Sequence, residues 1–221
     1  MITATKISGR KNNIRYIMIK RESMPCHRTN FLQTFLLIAG SLLAFAACDD
    51  LPFEKDLSTR AFLIRTGEHY STPRLMETFE SGKLAFKATF DESAKYQLSD
   101  ASLQDSKNKL MGFSDCNSLH HENSARFAWQ WFNDRLEIYA YCYVDSMRVE
   151  KFIGPVDLNE ENLYEIAATG NEYVFYLNGE KKAAVTRTAQ CNDGLNYMLY
   201  PYFGGTLPAP HDVRIAIEMV K

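Results

Sequence analysis

The chain has 221 residues, 46% of them hydrophobic and 13% aromatic, and its 25 Lys and Arg nearly balance 27 Asp and Glu for a net charge of -2. That composition supports one sizeable core and contains no long disordered tract. Basic residues do not cluster beyond the first 28 positions, which leaves no electrostatic basis for binding nucleic acid, and no repeat of solenoid or propeller period is present.

The first element is an address. Lys6, Arg10, Lys11, Arg15, Lys20, Arg21 and Arg28 precede an uncharged apolar run from Phe35 to Ala47 that ends at Cys48. The order basic, apolar, small is that of a secretory signal, and the run falls short of the roughly 20 residues a membrane-spanning helix needs. Residues 1–47 are therefore read as a signal peptide, with Met24 as a possible true start. The stretch "FAAC" resembles the lipobox of bacterial lipoproteins, although Phe45 stands where Leu is usual. That resemblance implies acylation of Cys48 with palmitate-type chains, the alternative being plain secretory cleavage. Asp49-Asp50 resembles the surface-export signal of Bacteroidota lipoproteins, which implies an outer-membrane anchor facing the cell exterior. Residues 48–61 then form a short tether, and 62–221 form the domain.

Within the domain, turn signals recur at short intervals and helical periodicity is nearly absent. "KLAFKATF" (83–90) alternates Leu84, Phe86, Ala88 and Phe90 with Lys83, Ala85, Lys87 and Thr89, the pattern of a half-buried strand. Next comes "RFAWQWFNDRLEIYAYCYV" (126–144). Taking Asn133-Asp134 as a two-residue turn sets the register: Phe132 opposite Arg135, Trp131 opposite Leu136, Gln130 opposite Glu137, and so on to Arg126 opposite Tyr141. One face then holds Phe127, Trp129, Trp131, Leu136, Ile138, Ala140, Cys142 and Val144, a core face. The other holds Arg126, Gln130, Phe132, Arg135, Glu137, Tyr139, Tyr141 and Tyr143.

"NLYEIAATGNEYVFYLNGEKKAAV" (162–185) reads as a three-strand meander turned at Gly170-Asn171 and Asn178-Gly179. "YMLYPYFGG" (197–205) is a further apolar strand, with Pro201 at an edge or bend. "DVRIAIEMV" (212–220) closes the chain, with Val213, Ile215, Ile217 and Met219 on one face. Many short strands and no helical crossover predict an all-β antiparallel sandwich or barrel.

With Cys26 removed and Cys48 acylated, three cysteines remain and at most one disulfide forms. Cys116 and Cys191 sit in polar, turn-like sequence while Cys142 lies inside a strand, so the expected bridge is Cys116–Cys191, against three free thiols. No His or Cys spacing suits a metal. Asp212, in "GGTLPAPHD", offers an oxygen to a structural Ca²⁺ together with Asp91, or else serves as a turn acceptor. No cofactor is otherwise implied.

"FKATFDESAKY", "NKLMGFSDC", "ENSARFAWQW", "YEIAATGNEYVFYLNGEKK" and "YPYFGGTLPAPHDVRIAI" follow the order of strands in concanavalin A-like jelly rolls. The superfamily contains laminin-G-like modules, legume-type lectins, polysaccharide lyases and glycosidases, and the whole chain resembles lipoproteins of gut Bacteroidota. The resemblance implies a jelly-roll β-sandwich over residues 62–221 that takes a polysaccharide or oligosaccharide on its concave sheet.

The polar face of the aromatic hairpin suits that ligand. Tyrosine rings contact the C–H faces of sugars while Arg, Gln and Glu bond hydroxyls or uronates, which makes Arg126, Gln130, Glu137, Tyr139 and Tyr141 the ligand-binding candidates. The alternative is an ordinary solvated face with cross-strand pairs such as Gln130–Glu137. The leading reading is a non-catalytic surface glycan-binding lipoprotein. A polysaccharide lyase is the runner-up, and the resemblance then implies Arg126 neutralising the uronate with Gln130 beside it, Tyr139 in proton transfer, and His120 or His121 as base. The motifs of alginate lyases are absent, and adjacent histidines in an extended segment point opposite ways. No E-x-D-x-E array supports a glycoside hydrolase. A structural or protein-binding module is the third reading.

Overall fold

The computed structural model describes residues 59–189, 191 and 194–220. Cys48 and the segments read as signal and most of the tether lie outside the described residues. In chain order the strands are β1 (Thr59–Ile64), β2 (Ser71–Thr72), β3 (Thr78–Phe79), β4 (Lys83–Phe90), β5 (Asn108–Ser114), β6 (Ser124–Phe132) and β7 (Arg135–Val144). They continue with β8 (Met147–Val156), β9 (Asn162–Thr169), β10 (Glu172–Leu177), β11 (Glu180–Thr186), β12 (Asn196–Leu199) and β13 (Val213–Met219). Two single-turn 3₁₀ helices, Glu92–Ala94 and Ala101–Leu103, lie between β4 and β5, each capped by the preceding aspartate.

The strands form two antiparallel sheets, ordered β11-β10-β9-β4-β13-β1-β2 and β3-β12-β5-β6-β7-β8. The chain crosses between sheets rather than filling one and then the other, so the sandwich closes around a single core. Alternation positions that core. Leu84, Phe86, Ala88 and Phe90 of β4 are buried, as are Val213, Ile215 and Ile217 of β13. Met219, expected on the same face, is largely exposed because its strand ends there.

Between the sheets, Phe127 packs edge-on against Phe86, Tyr164 and Phe175, at centroid distances of 6.0, 5.0 and 5.1 Å. Trp129 is fully buried and lies 5.2 Å from Phe90 and 5.9 Å from Tyr96. Each large side chain removed from water here contributes about 1.5–3 kcal/mol.

Local chemistry makes the hairpins. Asn133 and Asp134 have φ of 51° and 57°, the paired positive values of a type I′ turn. Asn178 and Gly179 repeat this between β10 and β11. Asp145-Ser146, with φ of 49° and 65°, forms a third such turn. It brings in β8, a strand not expected from the sequence. The apolar stretch after Tyr197 is strand only to Leu199, and Pro201 lies beyond its end.

Candidate functional site

The register of the aromatic hairpin is as expected, from Phe132↔Arg135 to Arg126↔Tyr141. Its inward face is the core, except that its two ends are only partly buried: Val144, and Trp131 near the turn, with the Lys95 ammonium 5.6 Å from its ring. The outward face divides into two parts of different character.

Near the turn the Glu137 carboxylate is satisfied by its neighbours, although Gln130 Oε1 beside it is buried without a partner. The Glu137 carboxylate, 3% exposed, accepts from Gln130 Nε2 at 2.8 Å, from the Tyr139 hydroxyl at 2.6 Å and from Arg135 Nε at 2.8 Å. Burial alone would raise its pKa, but these bonds and the Arg135 charge outweigh it and hold the carboxyl below its ordinary value. Tyr139 is pushed the other way, by burial and by donating to Glu137. Lys107 lies 4.5 Å above the Tyr139 ring, and Phe152 of β8 packs against its edge. Gln130, Glu137 and Tyr139, all expected to bind ligand, are therefore absent from the lining of the groove described below. The cross-strand pair Gln130–Glu137, the alternative reading of this face, is what forms here.

At the other end the face opens into a groove of about 740 Å³. Arg126 lies on its floor, 7% exposed, beside Tyr141, which is 4% exposed. Gly112 of β5 permits this packing, because a Cβ there would stand 2.5 Å from Arg126 Cα and 2.6 Å from its Cγ. The Arg126 guanidinium has no ion-pair partner among the described residues. Its buried Nε has no hydrogen-bond acceptor either. Burial lowers its pKa and the hydroxyls of Tyr141, Tyr143 and Tyr197 partly oppose that, yet an arginine stays charged. Among the described residues no Asp or Glu lines the groove, while Lys109 and Arg74 do. Glu150, opposite Tyr141 on β8, is paired with Arg148 at 3.1 Å. A buried charge with no counter-charge is stable only where a ligand or solvent completes it.

The residues between β5 and β6 turn rather than extend, with Glu122 N donating to Leu119 O at 2.8 Å. In consequence both His120 and His121 line the groove, their rings 4.1 Å apart, instead of pointing opposite ways. His120 Nδ1 lies 2.9 Å from the Tyr197 hydroxyl, which also accepts from the His120 backbone N–H at 3.0 Å. Burial, then the charges of Arg126 and His121, push the His120 pKa down to about 4. Tyr141 is pushed up to about 12, by burial and by a hydrogen bond with Tyr143, so it is protonated at neutral pH.

Four groove residues, Lys109, Tyr197, Tyr202 and Arg74, come from segments that nothing in the sequence connects to the site. Lys109 pairs with Ala128 of β6 and, through two backbone hydrogen bonds of 2.8 and 3.1 Å, with Tyr202.

Cys116 and Cys191 form a disulfide, as expected, and Cys142 is a buried free thiol. The bridge joins the stem of the His120 turn to the segment leading into β12. Asp212 accepts from Thr66 N at 2.9 Å and Thr66 Oγ1 at 3.0 Å, and Asp91 accepts from Ser93 N at 2.8 Å. Asp91 thus caps its own turn, whereas Asp212 ties its segment to Thr66, 146 residues away, and does not accept within its own turn. Among the described residues neither belongs to a group of three or more His, Cys, Asp or Glu close enough to share a cation. The one group with such spacing, Asp115 with Cys116 and Cys191, has its sulfurs committed to the disulfide.

No family model and no curated protein matches this chain. Solved structures do. A double variant of alginate lyase Aly36B in complex with alginate trisaccharide aligns at a TM-score of 0.53 and 14% identity, over 73% of this chain and 79% of that one. Alginate lyase AlyC3 aligns at 0.52 and 8% identity, over 73% and 74%. The laminarinase catalytic domain from Thermotoga maritima aligns at 0.49 and 10% identity, over 74% and 80%. The fold is the concanavalin A-like jelly roll that the strand order resembles. At such identities the likeness concerns fold alone.

Proposed function

We propose that this protein takes a uronate-containing polysaccharide into the groove and cleaves it by β-elimination. The observation that supports this is the buried guanidinium of Arg126, which has no acidic partner and no acidic groove neighbour among the described residues. A uronate carboxylate supplies the missing counter-charge, with the bidentate geometry a guanidinium favours. A groove of about 740 Å³ exceeds a single sugar and suits an oligosaccharide segment, and its tyrosines offer ring faces to the sugars.

The same arrangement supports elimination. Neutralising the carboxylate acidifies the proton on the adjacent carbon. A base takes that proton, the glycosidic oxygen departs from the next carbon, and an acid protonates it. Tyr141 and its partner Tyr143 supply the hydroxyl donor, since Tyr141 keeps its proton well beyond neutral pH. Titratable groups perturbed by burial and gathered in one cleft are what such chemistry requires. The two alginate lyases named above share this sheet arrangement, which is consistent with the reading.

Two measurements on the domain test it. Titration calorimetry against alginate, polygalacturonate, a glucuronate-containing glycosaminoglycan and a neutral glucan is expected to show binding to at least one acidic polymer and none to the glucan. Absorbance of the unsaturated uronate then reports cleavage. Binding without that absorbance leaves a non-catalytic glycan-binding protein. Equal binding to the neutral glucan removes the role given to Arg126.

A further inference from the structure

Elimination needs its base beside the group that holds the carboxylate, because the proton removed sits on the carbon bonded to that carboxylate. We propose that Lys109, rather than either histidine, is the general base of this groove. The inference rests on the eliminative reading above.

Geometry singles it out. The Lys109 ammonium lies 4.6 Å from the centroid of the Tyr141 ring, and the Arg126 guanidinium lies 5.8 Å from the same centroid. One ring thus carries the base, the carboxylate clamp and the hydroxyl donor around it. Backbone pairing to Tyr202 on one side and Ala128 on the other holds the residue, and Lys109 Nζ donates to Lys107 O at 2.7 Å, which leaves other positions on the nitrogen for substrate.

The histidines are placed differently. His120 Nδ1 is engaged with Tyr197, and a ring with a pKa of about 4 is a base roughly a thousand-fold too weak to hold a proton at neutral pH. His121 stands against His120 and Tyr143.

Electrostatics supports the geometry. Burial, then the Arg126 charge, bring the Lys109 pKa down to about 8, with Glu150 acting upward and Arg148 and Lys107 downward. The phenol of Tyr141 beneath it remains neutral throughout this range. Near neutral pH about a tenth of the molecules hold a free amine, and that fraction grows as pH rises.

In the step, the neutral Lys109 amine takes the proton from C5 of the uronate on Arg126. The C5–H electron pair becomes the C4=C5 double bond, the C4–O4 bond breaks with its pair going to O4, and O4 takes the hydroxyl proton of the Tyr141–Tyr143 pair. The ammonium proton and the phenolate recombine through solvent. Nothing is oxidised or reduced, and no co-reactant is needed.

The test uses the wild-type domain, Lys109→Arg and Lys109→Met, on the polymers named above. The wild-type rate of unsaturated-uronate formation is expected to rise with pH through about 8. Lys109→Arg, which keeps the charge, is expected to bind within a few-fold of wild type and to lose about 100-fold or more of the rate, together with that limb. If Lys109→Arg keeps the rate or the limb, Lys109 is not the base, while the eliminative reading stands. If the wild type binds but yields no unsaturated product between about pH 5 and 10 on any polymer, both fail. Should the variants not fold, the wild-type profile decides alone: a single ascending limb centred near the range of an ordinary histidine overturns the assignment.

Discussion

At the turn end of the β6–β7 hairpin, Glu137 is surrounded by Gln130, Tyr139 and Arg135, and every carboxylate oxygen has a donor. On the same face at the far end, Arg126 is almost as deeply buried and has no counter-charge. Composition does not separate these two regions, since each has a charge, tyrosines and a polar neighbour. What separates them is whether the charge is already satisfied: the Glu137 carboxylate is, and the Arg126 guanidinium is not, even though Gln130 Oε1 beside Glu137 also lacks a partner. A charge closed by its neighbours gains little from a ligand, whereas an open one is stabilised by whatever completes it.

The largest expected effect concerns what holds the open end in place. The Cys116–Cys191 bridge spans 75 residues, and a loop of that length restricts the unfolded chain by about 4 kcal/mol. Cys191→Ser is expected to lower stability by roughly that amount in urea denaturation. Hydrogen exchange in the variant should rise around His120 and in β12 while the tip of the β6–β7 hairpin stays protected. Equal acceleration at both ends would mean that the bridge supports the whole sandwich rather than the groove.

Arg126→Met comes next. Losing the clamp should weaken binding of an acidic oligosaccharide by about 100-fold, or about 3 kcal/mol. Because the methionine removes a buried unpaired charge, thermal stability should be unchanged or higher. A large drop in stability would show that the folded protein completes the guanidinium by itself, and the contrast between the two ends would vanish.

Glu137→Gln is the opposite case. Stability should fall by about 2 kcal/mol, through loss of charge-assisted bonds, with glycan affinity unchanged. The effect should depend on pH in a defined direction. The Glu137 carboxyl titrates below its ordinary 4.5 in the folded state, so its contribution is present above 4.5 and is lost as pH falls through the folded value. Urea midpoints of wild type and variant should therefore differ at pH 7 and converge in acid. A difference that persists in acid would place the effect in packing.

Much of this was legible along the chain. The Asn133-Asp134 turn fixed a register in which period-two alternation separates core from surface, so the inward Phe127 and Trp129 and the outward Arg126 and Tyr141 followed directly. The cysteine pairing followed from which thiols lie in turns. The closed and open ends were not separable, because alternation does not say which polar groups of one face reach one another, and because the Tyr139 ring is covered by Lys107, from the loop before β5, and by Phe152 of β8, a strand not expected from the sequence. Lys109 was hidden for a related reason. A bulge between Lys109 and Gly112 breaks the alternation of β5, and the partner that anchors Lys109, Tyr202, lies far along the chain. The histidines were misjudged because an extended segment was assumed where the backbone turns.

The smallest expected effect tests the closure itself. Lys107 holds its ammonium over the Tyr139 ring and donates to Asp105 O at 2.7 Å, so it covers the tyrosine without pairing to an acid. Lys107→Met keeps a long apolar stem over the ring and removes only the charge, so the loss should be about 0.5–1 kcal/mol, measurable as a small shift in the urea midpoint. Affinity for an acidic oligosaccharide should not change, because Lys107 does not line the groove. Affinity that falls along with stability would mean that the ligand extends along the sheet to Tyr139, making the turn end part of the binding surface.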